Sequence, residues 1–296
     1  MDRRDRVADG ELLEGTLRCT GCARTYPVAG GIPVVLADSG GVDLQALRAT
    51  PETLLADASR QPESAPLVRA LIQLSTYLDA SWGDRAEPPP DGPGARFGFA
   101  ELAARLRGLP KVDAALELGC GAGRGVFELR ADAAEVVGLD GNPWLLGAAR
   151  TLFQTGQLLY PRRILGRDFG LARIAAPPRS GIELVCGDAL APPFAPGTFG
   201  RVAALNLLDN VRSPRVLLHE LQQLSNGDVL LSAPYAFREG IVEEGERLNG
   251  PEAVHAELAR LGLTVEEEAL RLRWTLRHDA RAATVYDVHW VRSRKS

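Results

Sequence analysis

The sequence is poor in several features that would fix its class at once. Cysteine occurs only four times in 296 residues, as Cys19, Cys22, Cys120 and Cys186, so the disulfide framework of a small secreted scaffold is excluded. Cys120 and Cys186 fall in apolar, strand-like stretches, where cysteine usually serves as a small buried hydrophobe. No apolar run approaches the ~20 residues needed to cross a bilayer. The opening Met1-Asp2-Arg3-Arg4-Asp5 has no signal-peptide core, and a cytoplasmic chain that meets no membrane is expected. Positive charge is not in excess: 34 Lys and Arg against 38 Asp and Glu leave a net charge of −4. That balance argues against a wide nucleic-acid surface, because neutralising phosphates takes clustered basic side chains. Arg162, Arg163 and Arg167, in the long connection, are the local cluster worth testing, and no internal repeat is visible.

What is present is ordinary for a globular chain, with 45% hydrophobic and 24% charged residues. Three regions are read. Residues 1–45 contain short β-rich pieces punctuated by Gly and Pro, the pattern of a small hairpin module. Residues 46–112 are mainly helical, with Leu67, Ala70, Leu71, Leu74 and Leu78 at helix spacing, and form a lid or linker region. Within it, the Pro- and Gly-rich stretch 86–96 reads as a linker or extended loop, and Phe99 to Leu106 as a helix. Residues 113–296 alternate strand and helix. Strands are predicted at 114–118, 135–140, 182–186, 201–205, 228–232, 264–272 and 283–290, and helices at 124–129, 143–153, 214–224 and 251–261. Such alternation implies an α/β fold with a doubly wound, mostly parallel seven-stranded sheet covered on both faces. The short turn at His278-Asp279-Ala280-Arg281 makes the last two strands a hairpin, so the sheet ends antiparallel. The connection from 154 to 181 is too long for a plain link and is expected to be functional or to carry extra elements.

Chemistry concentrates at Glu117-Leu118-Gly119-Cys120-Gly121-Ala122-Gly123, between an apolar strand and a helix. Glycines let the backbone turn sharply and approach a ligand closely, and the helix start offers free amides. Alone the motif is weak. Asp140, followed by Gly141, closes the second strand, where a carboxylate can accept hydrogen bonds from ribose hydroxyls. Asp188 and Ala189 follow the third strand. Strand ends on one edge of such a sheet converge on a single crevice, so these acids are expected to line one pocket.

With those residues in place, the run from Glu117 to Pro234 resembles a class I S-adenosylmethionine methyltransferase. The resemblance implies that Glu117, Gly119 and Gly121 surround the methionine part of S-adenosylmethionine, that Asp140 binds the ribose, and that Asp188 and the Ala189 amide face the adenine, with Gly123 and Gly141 also cofactor-binding. It implies that Asn206 borders the transferred methyl. The rival on the same fold is an NAD(P)-dependent oxidoreductase. Against it stand Arg124, where a dinucleotide fingerprint wants its third glycine, and Glu117, which suits a cationic amino-acid tail and would repel a pyrophosphate.

Methyl transfer from a sulfonium needs placement more than acid–base help. Asn206, Asp209 and Tyr235, at the exits of the fourth and fifth strands, are the candidates facing the reacting centre, and Tyr77 and Trp82 are candidates for a lid. A narrower resemblance rests on Leu159-Tyr160-Pro161, Asn206-Leu207-Leu208-Asp209, Pro234-Tyr235, Trp274-Thr275-Leu276-Arg277 and Val288-His289-Trp290. It is to the mercaptohistidine N-methyltransferase domain, and implies a small, amino-acid-like acceptor contacted by Tyr160, Arg277 and His289. Asn210 and Phe237 depart from that pattern. His219, His255 and His278 show no ligand spacing, and no metal site is read.

Cys19-Thr20-Gly21-Cys22, with Tyr26-Pro27-Val28 and Gly31-Ile32-Pro33, is similar to half of a zinc-ribbon-like family that activates methyltransferases or is fused to them. Structural zinc wants four ligands and one Cys-x-x-Cys supplies two, so zinc is not expected. The module is expected to pack on the catalytic domain or to support a homodimer. Two other functions remain open: a non-catalytic partner that binds the cofactor, and an RNA or protein methyltransferase.

Overall fold

The computed structural model describes residues 6–8, 10–37, 41–58, 60–62, 65–88, 98–237 and 239–295. Four strands come first: β1 (Arg6–Ala8), β2 (Glu11–Arg18), β3 (Thr25–Ala29) and β4 (Ile32–Val35), each antiparallel to the next. Cys19 and Cys22 sit in the turn between β2 and β3, which closes by the Cys19 amide donating to the Arg24 carbonyl at 2.8 Å.

The helical pattern over 51–84 resolves into α1 (Pro51–Ala58) and α2 (Pro66–Trp82). Pro62 and Pro66 explain the break, since proline cannot continue a helix but is well placed to start one. Of the linker read at 86–96, residues 89–96 lie outside the described residues, as do residues 1–5. The helix read at 99–106 is α3 (Ala100–Arg105).

Thereafter the chain runs β5 (Val112–Leu118), α4 (Arg124–Leu129), β6 (Ala133–Asp140), α5 (Pro143–Thr155), β7 (Gln157–Leu165), β8 (Asp168–Ala175), β9 (Ile182–Gly187) and β10 (Phe199–Leu205). It continues with α6 (Pro214–Leu224), β11 (Ser225–Ala233), α7 (Pro251–Arg260), β12 (Leu263–Arg277) and β13 (Ala283–Lys295). Local chemistry starts two of these helices. Asn142 caps α5 by accepting from the amides of Trp144 and Leu145, Ser213 caps α6, and a proline follows each cap.

The seven expected strands lie in the order β9-β6-β5-β10-β11-β13-β12, with β13 antiparallel to both neighbours. Alternate side chains leave the sheet on opposite faces. Ala115, Ala203 and Leu230 enter a core with α2 to α5, while Leu116, Val202, Val229 and Leu231 enter a second core with α6 and α7. This is the doubly wound, Rossmann-like arrangement.

The sheet is wider than seven strands. β4 pairs in parallel with β9, Val34 opposite Cys186 and Val35 opposite Gly187, so the N-terminal strands extend the sheet to eleven. The physical reason is that β9 would otherwise be an edge with unpaired backbone groups. Ile32 and Val34 also alternate into the first core, where both are fully buried.

The long connection contains the two-stranded β7–β8 hairpin. Pro161 obscured it in the sequence, because proline argues against a central strand; in a ribbon of two strands it is tolerated at an edge. No helix among the described residues is long and apolar enough to cross a membrane.

Candidate functional site

β5 delivers Glu117 to the C-terminal edge of the sheet, and the chain turns into α4 through Gly119, Gly121 and Gly123 with φ of 73°, 51° and 77°. Those left-handed values favour glycine. Close approach demands it as well: a Cβ on Gly119 would lie 2.6 Å from the Leu207 side chain, and one on Gly123 2.6 Å from the Phe153 ring.

Asp140, at the end of β6, fastens this turn. Its Oδ2 accepts from the Gly121 amide at 2.8 Å and its Oδ1 from the Asn142 amide at 2.7 Å. Each oxygen retains a lone pair for a further donor. Burial raises the Asp140 carboxyl above its ordinary pKa, and the two amides oppose that rise.

Glu117 is 2% exposed, and its Oε2 is buried without a hydrogen-bond partner. Burial pushes its pKa well above the usual carboxylate range; the Val126 amide works against this and the neighbouring Asp140 adds to it. Both acids face one cavity of about 380 Å³, lined also by Gly119, Gly121, Gly141, Asn206 and Trp274. Cys120 lines it too, but burial holds its thiol protonated, so it is a wall and not a nucleophile.

Asn206 follows β10 in a left-handed conformation, φ 54°. Its amide donates to the Ser232 carbonyl at 2.9 Å, its Oδ1 accepts from the Ser232 hydroxyl at 2.9 Å, and its buried Nδ2 has no partner. Tyr235 follows β11, also left-handed at φ 57°, a strained state for a bulky side chain. Two contacts hold this exit: Asp209 Oδ2 accepts from the Ala236 amide at 2.9 Å, and the Tyr235 hydroxyl meets His289 Nδ1 at 2.6 Å. Desolvation pushes the Tyr235 phenol up and the His289 imidazolium down.

Asp209 and Tyr235 are not among the described cavity-lining residues, and of the remaining expected residues only Tyr77 is. Asp188 ends β9 on the same sheet edge, where its Oδ1 accepts from the Leu190 amide at 2.8 Å. The described cavity lining stops at Gly141, Asn142 and Leu145 on that side, short of Asp188 and Ala189. Tyr160 and Arg277 meet around buried Asp79 of α2. Asp79 Oδ1 accepts from Tyr160 and from Arg162 at 3.0 Å, and its Oδ2 from Arg277 at 3.2 Å. Of the two lid candidates, Tyr77 lines the cavity, while Trp82 is fully buried with its indole on the Ala122 carbonyl.

Sequence reasoning passed over Gln73 and Ser81 of α2, and Gly125. A Cβ on Gly125 would lie 2.4 Å from the Glu117 carboxylate, so this glycine makes room for the acid. The signal was there as a fourth alternate glycine after Gly119, Gly121 and Gly123. Arg124 is buried against Asp84 at 2.7 Å and Glu128 at 2.8 Å, with its guanidinium over the Trp82 ring, and so ties α4 to α2.

Residues 116–231 match the family model of the methyltransferase domain. The match spans under half of the chain, and its strands β5, β6, β9, β10 and β11 form the middle of the Rossmann-like sheet. No curated protein matches the chain. Among solved structures it is similar to the YcgJ protein of Bacillus subtilis, at 12% identity and a TM-score of 0.46 over 66% of this chain and 98% of that one. It is similar to the N-methyltransferase NodS of Bradyrhizobium japonicum WM9, at 17% identity and a TM-score of 0.42 over 66% and 92% of the two chains. A third is an S-adenosylmethionine-dependent methyltransferase of Aquifex aeolicus, at 13% identity and a TM-score of 0.43 over 67% and 89%. At such identities none of them bears on what this chain acts on.

Proposed function

We propose that the chain transfers a methyl group from S-adenosylmethionine to a small, amino-acid-like acceptor by in-line displacement. One observation carries the cofactor half of this reading: a fully buried carboxylate, Glu117, with an oxygen lacking any partner, opens on a glycine-lined cavity opposite Asp140. An uncompensated buried acid is costly, and a cationic α-amino group relieves that cost. The residues present therefore fit the group. Glu117 would hold the amino end, the Gly119–Gly121 turn would admit the main chain of the ligand, and the spare lone pairs of Asp140 would accept from the ribose. Asp188 and the Ala189 amide would meet the adenine at the neighbouring strand end. Bound there, S-adenosylmethionine supplies an electrophilic methyl carried on a sulfonium.

The chain's own part is then placement and exclusion of water. Asn206, with an unpartnered Nδ2 at the exit of β10, would border the reacting centre and orient the acceptor. Trp274 and Tyr77 would close the cavity from β12 and α2. The supporting arguments for a small acceptor are the modest cavity and the net charge of −4. The test is calorimetric titration with S-adenosylhomocysteine, followed by an acceptor screen weighted toward thiol- and imidazole-bearing metabolites. Micromolar binding with turnover on one such metabolite is expected. Failure to bind S-adenosylhomocysteine would end the proposal.

A further inference from the structure

We infer that His255, Glu268 and His289 form a binding site for one divalent cation of the zinc class, separate from the residues lining the cofactor cavity. The three come from different elements. His255 lies on α7, Glu268 on β12 and His289 on β13, where it stands opposite Ala233 at the end of β11. Their donor atoms all lie within 4.8 Å of one another, the only such group of three among the described residues.

The detail favours an ion over a plain hydrogen-bond network. Both imidazoles aim Nε2 at the same oxygen, Glu268 Oε1, at 3.0 Å from His255 and 2.9 Å from His289. Yet the His255 contact lacks hydrogen-bond geometry, and that Nε2 is shielded from solvent with no partner. A buried ring nitrogen left in that state is an unmet ligand. Zinc bonds of ~2.0–2.2 Å at tetrahedral angles place donors about 3.3 Å apart, so each histidine need draw back from Glu268 by only a few tenths of an ångström, while the two imidazole donors already lie within 4.8 Å of one another.

The surroundings are those of a metal centre. The second nitrogen of His289, Nδ1, is held by the Tyr235 hydroxyl at 2.6 Å, the outer contact that fixes the tautomer of a ligating histidine. On binding, both Nε2 atoms give up any proton they carry, and Nδ1–H of His289 donates to Tyr235. Two imidazoles and one carboxylate suit zinc or a similar first-row ion better than magnesium or calcium, and leave a fourth position open. His255 and Glu268 are part-exposed, which gives the ion a way in.

The test uses the full chain with Cys19→Ser and Cys22→Ser, so that thiolates do not compete. After chelator treatment and dialysis, Zn²⁺ is titrated by calorimetry and Co²⁺ by its visible absorption. One equivalent is expected, with a visible Co²⁺ band of nitrogen–oxygen coordination. His255→Gln, which sacrifices no hydrogen bond of the apoprotein, should abolish the band, and Tyr235→Phe should weaken zinc binding by ~10–100-fold. Thermal melts without metal establish that each variant is folded. No metal bound by the folded double-serine chain at about 100 μM Zn²⁺, or binding unchanged by His255→Gln, overturns the inference. Neither result touches the S-adenosylhomocysteine titration.

Discussion

The indole N–H of Trp82, the last residue of α2, donates to the carbonyl of Ala122 inside the glycine turn at 2.8 Å. Helix α2 and the glycine turn are thus joined by one buried hydrogen bond, reinforced by Arg124 reaching back to Asp84. Trp82→Phe keeps the ring and strands the carbonyl. A loss of ~1–3 kcal/mol is expected from the midpoint of urea denaturation. S-adenosylhomocysteine should bind more weakly as the turn loosens; a variant indistinguishable from the parent in both assays would contradict this linkage.

Asp140→Ala removes the acceptor that organises the Gly121 and Asn142 amides and would meet the ribose. Affinity for S-adenosylhomocysteine should fall at least tenfold, on the order of the ~1.5–3 kcal/mol of a charged hydrogen bond. Calorimetry reads it directly, and unchanged affinity would count against the cofactor assignment.

Glu117 gives a pH dependence of definite sign. Its pKa in the folded, ligand-free chain is raised by burial, while in the unfolded chain it is ~4.3. The protein therefore draws full stability from this group below about pH 4.3 and loses it as pH rises toward the folded pKa. Glu117→Gln should flatten that decline and raise the melting temperature of the ligand-free protein at pH 7, while weakening S-adenosylhomocysteine. Melts at several pH values decide it; a variant less stable than the parent at pH 7 contradicts the argument.

Gly125→Ala places a methyl group 2.4 Å from the Glu117 carboxylate. The acid must swing out of its pocket or the turn must shift, at ~1–3 kcal/mol. Affinity for S-adenosylhomocysteine should drop by about tenfold or more. Parental affinity would show that Glu117 has room to spare.

Asp79 is fully buried and holds Arg162 and Arg277 on separate oxygens. Asp79→Ala leaves two guanidinium groups without their counter-charge, which should cost ~3–5 kcal/mol. Chemical denaturation measures this, and a cost below ~1 kcal/mol would mean the two arginines find other partners.

Much of the fold was legible because period-2 and period-3.6 patterns are local. The strands that end at Leu118, Asp140 and Leu205 are bounded by apolar runs and by Gly, Asp and Asn, which mark where a strand stops. The turn glycines and Asp140 were legible for the same reason. The share of the cavity built by α2 was not. Apart from Tyr77, which was read as a lid candidate, Gln73 and Ser81 lie on a helix whose leucines announce only a buried face, and nothing local tells which polar residues meet a ligand. His255 carried no signal either, because its companions Glu268 and His289 come from two later strands and converge only in the folded sheet. Nor does the pattern of β4 name its neighbour, since parallel pairing has no turn to give it away.

The β4–β9 pairing also orders events in time. Val34 is translated about 150 residues ahead of Cys186, its opposite number, roughly ten to thirty seconds at ordinary ribosome speeds. Through that interval β1 to β4 have, of their final partners, only each other to pair with. Contacts of such sequence separation are slow to form. Among the described strands, β4 therefore has the longest wait between its own synthesis and that of its final neighbour.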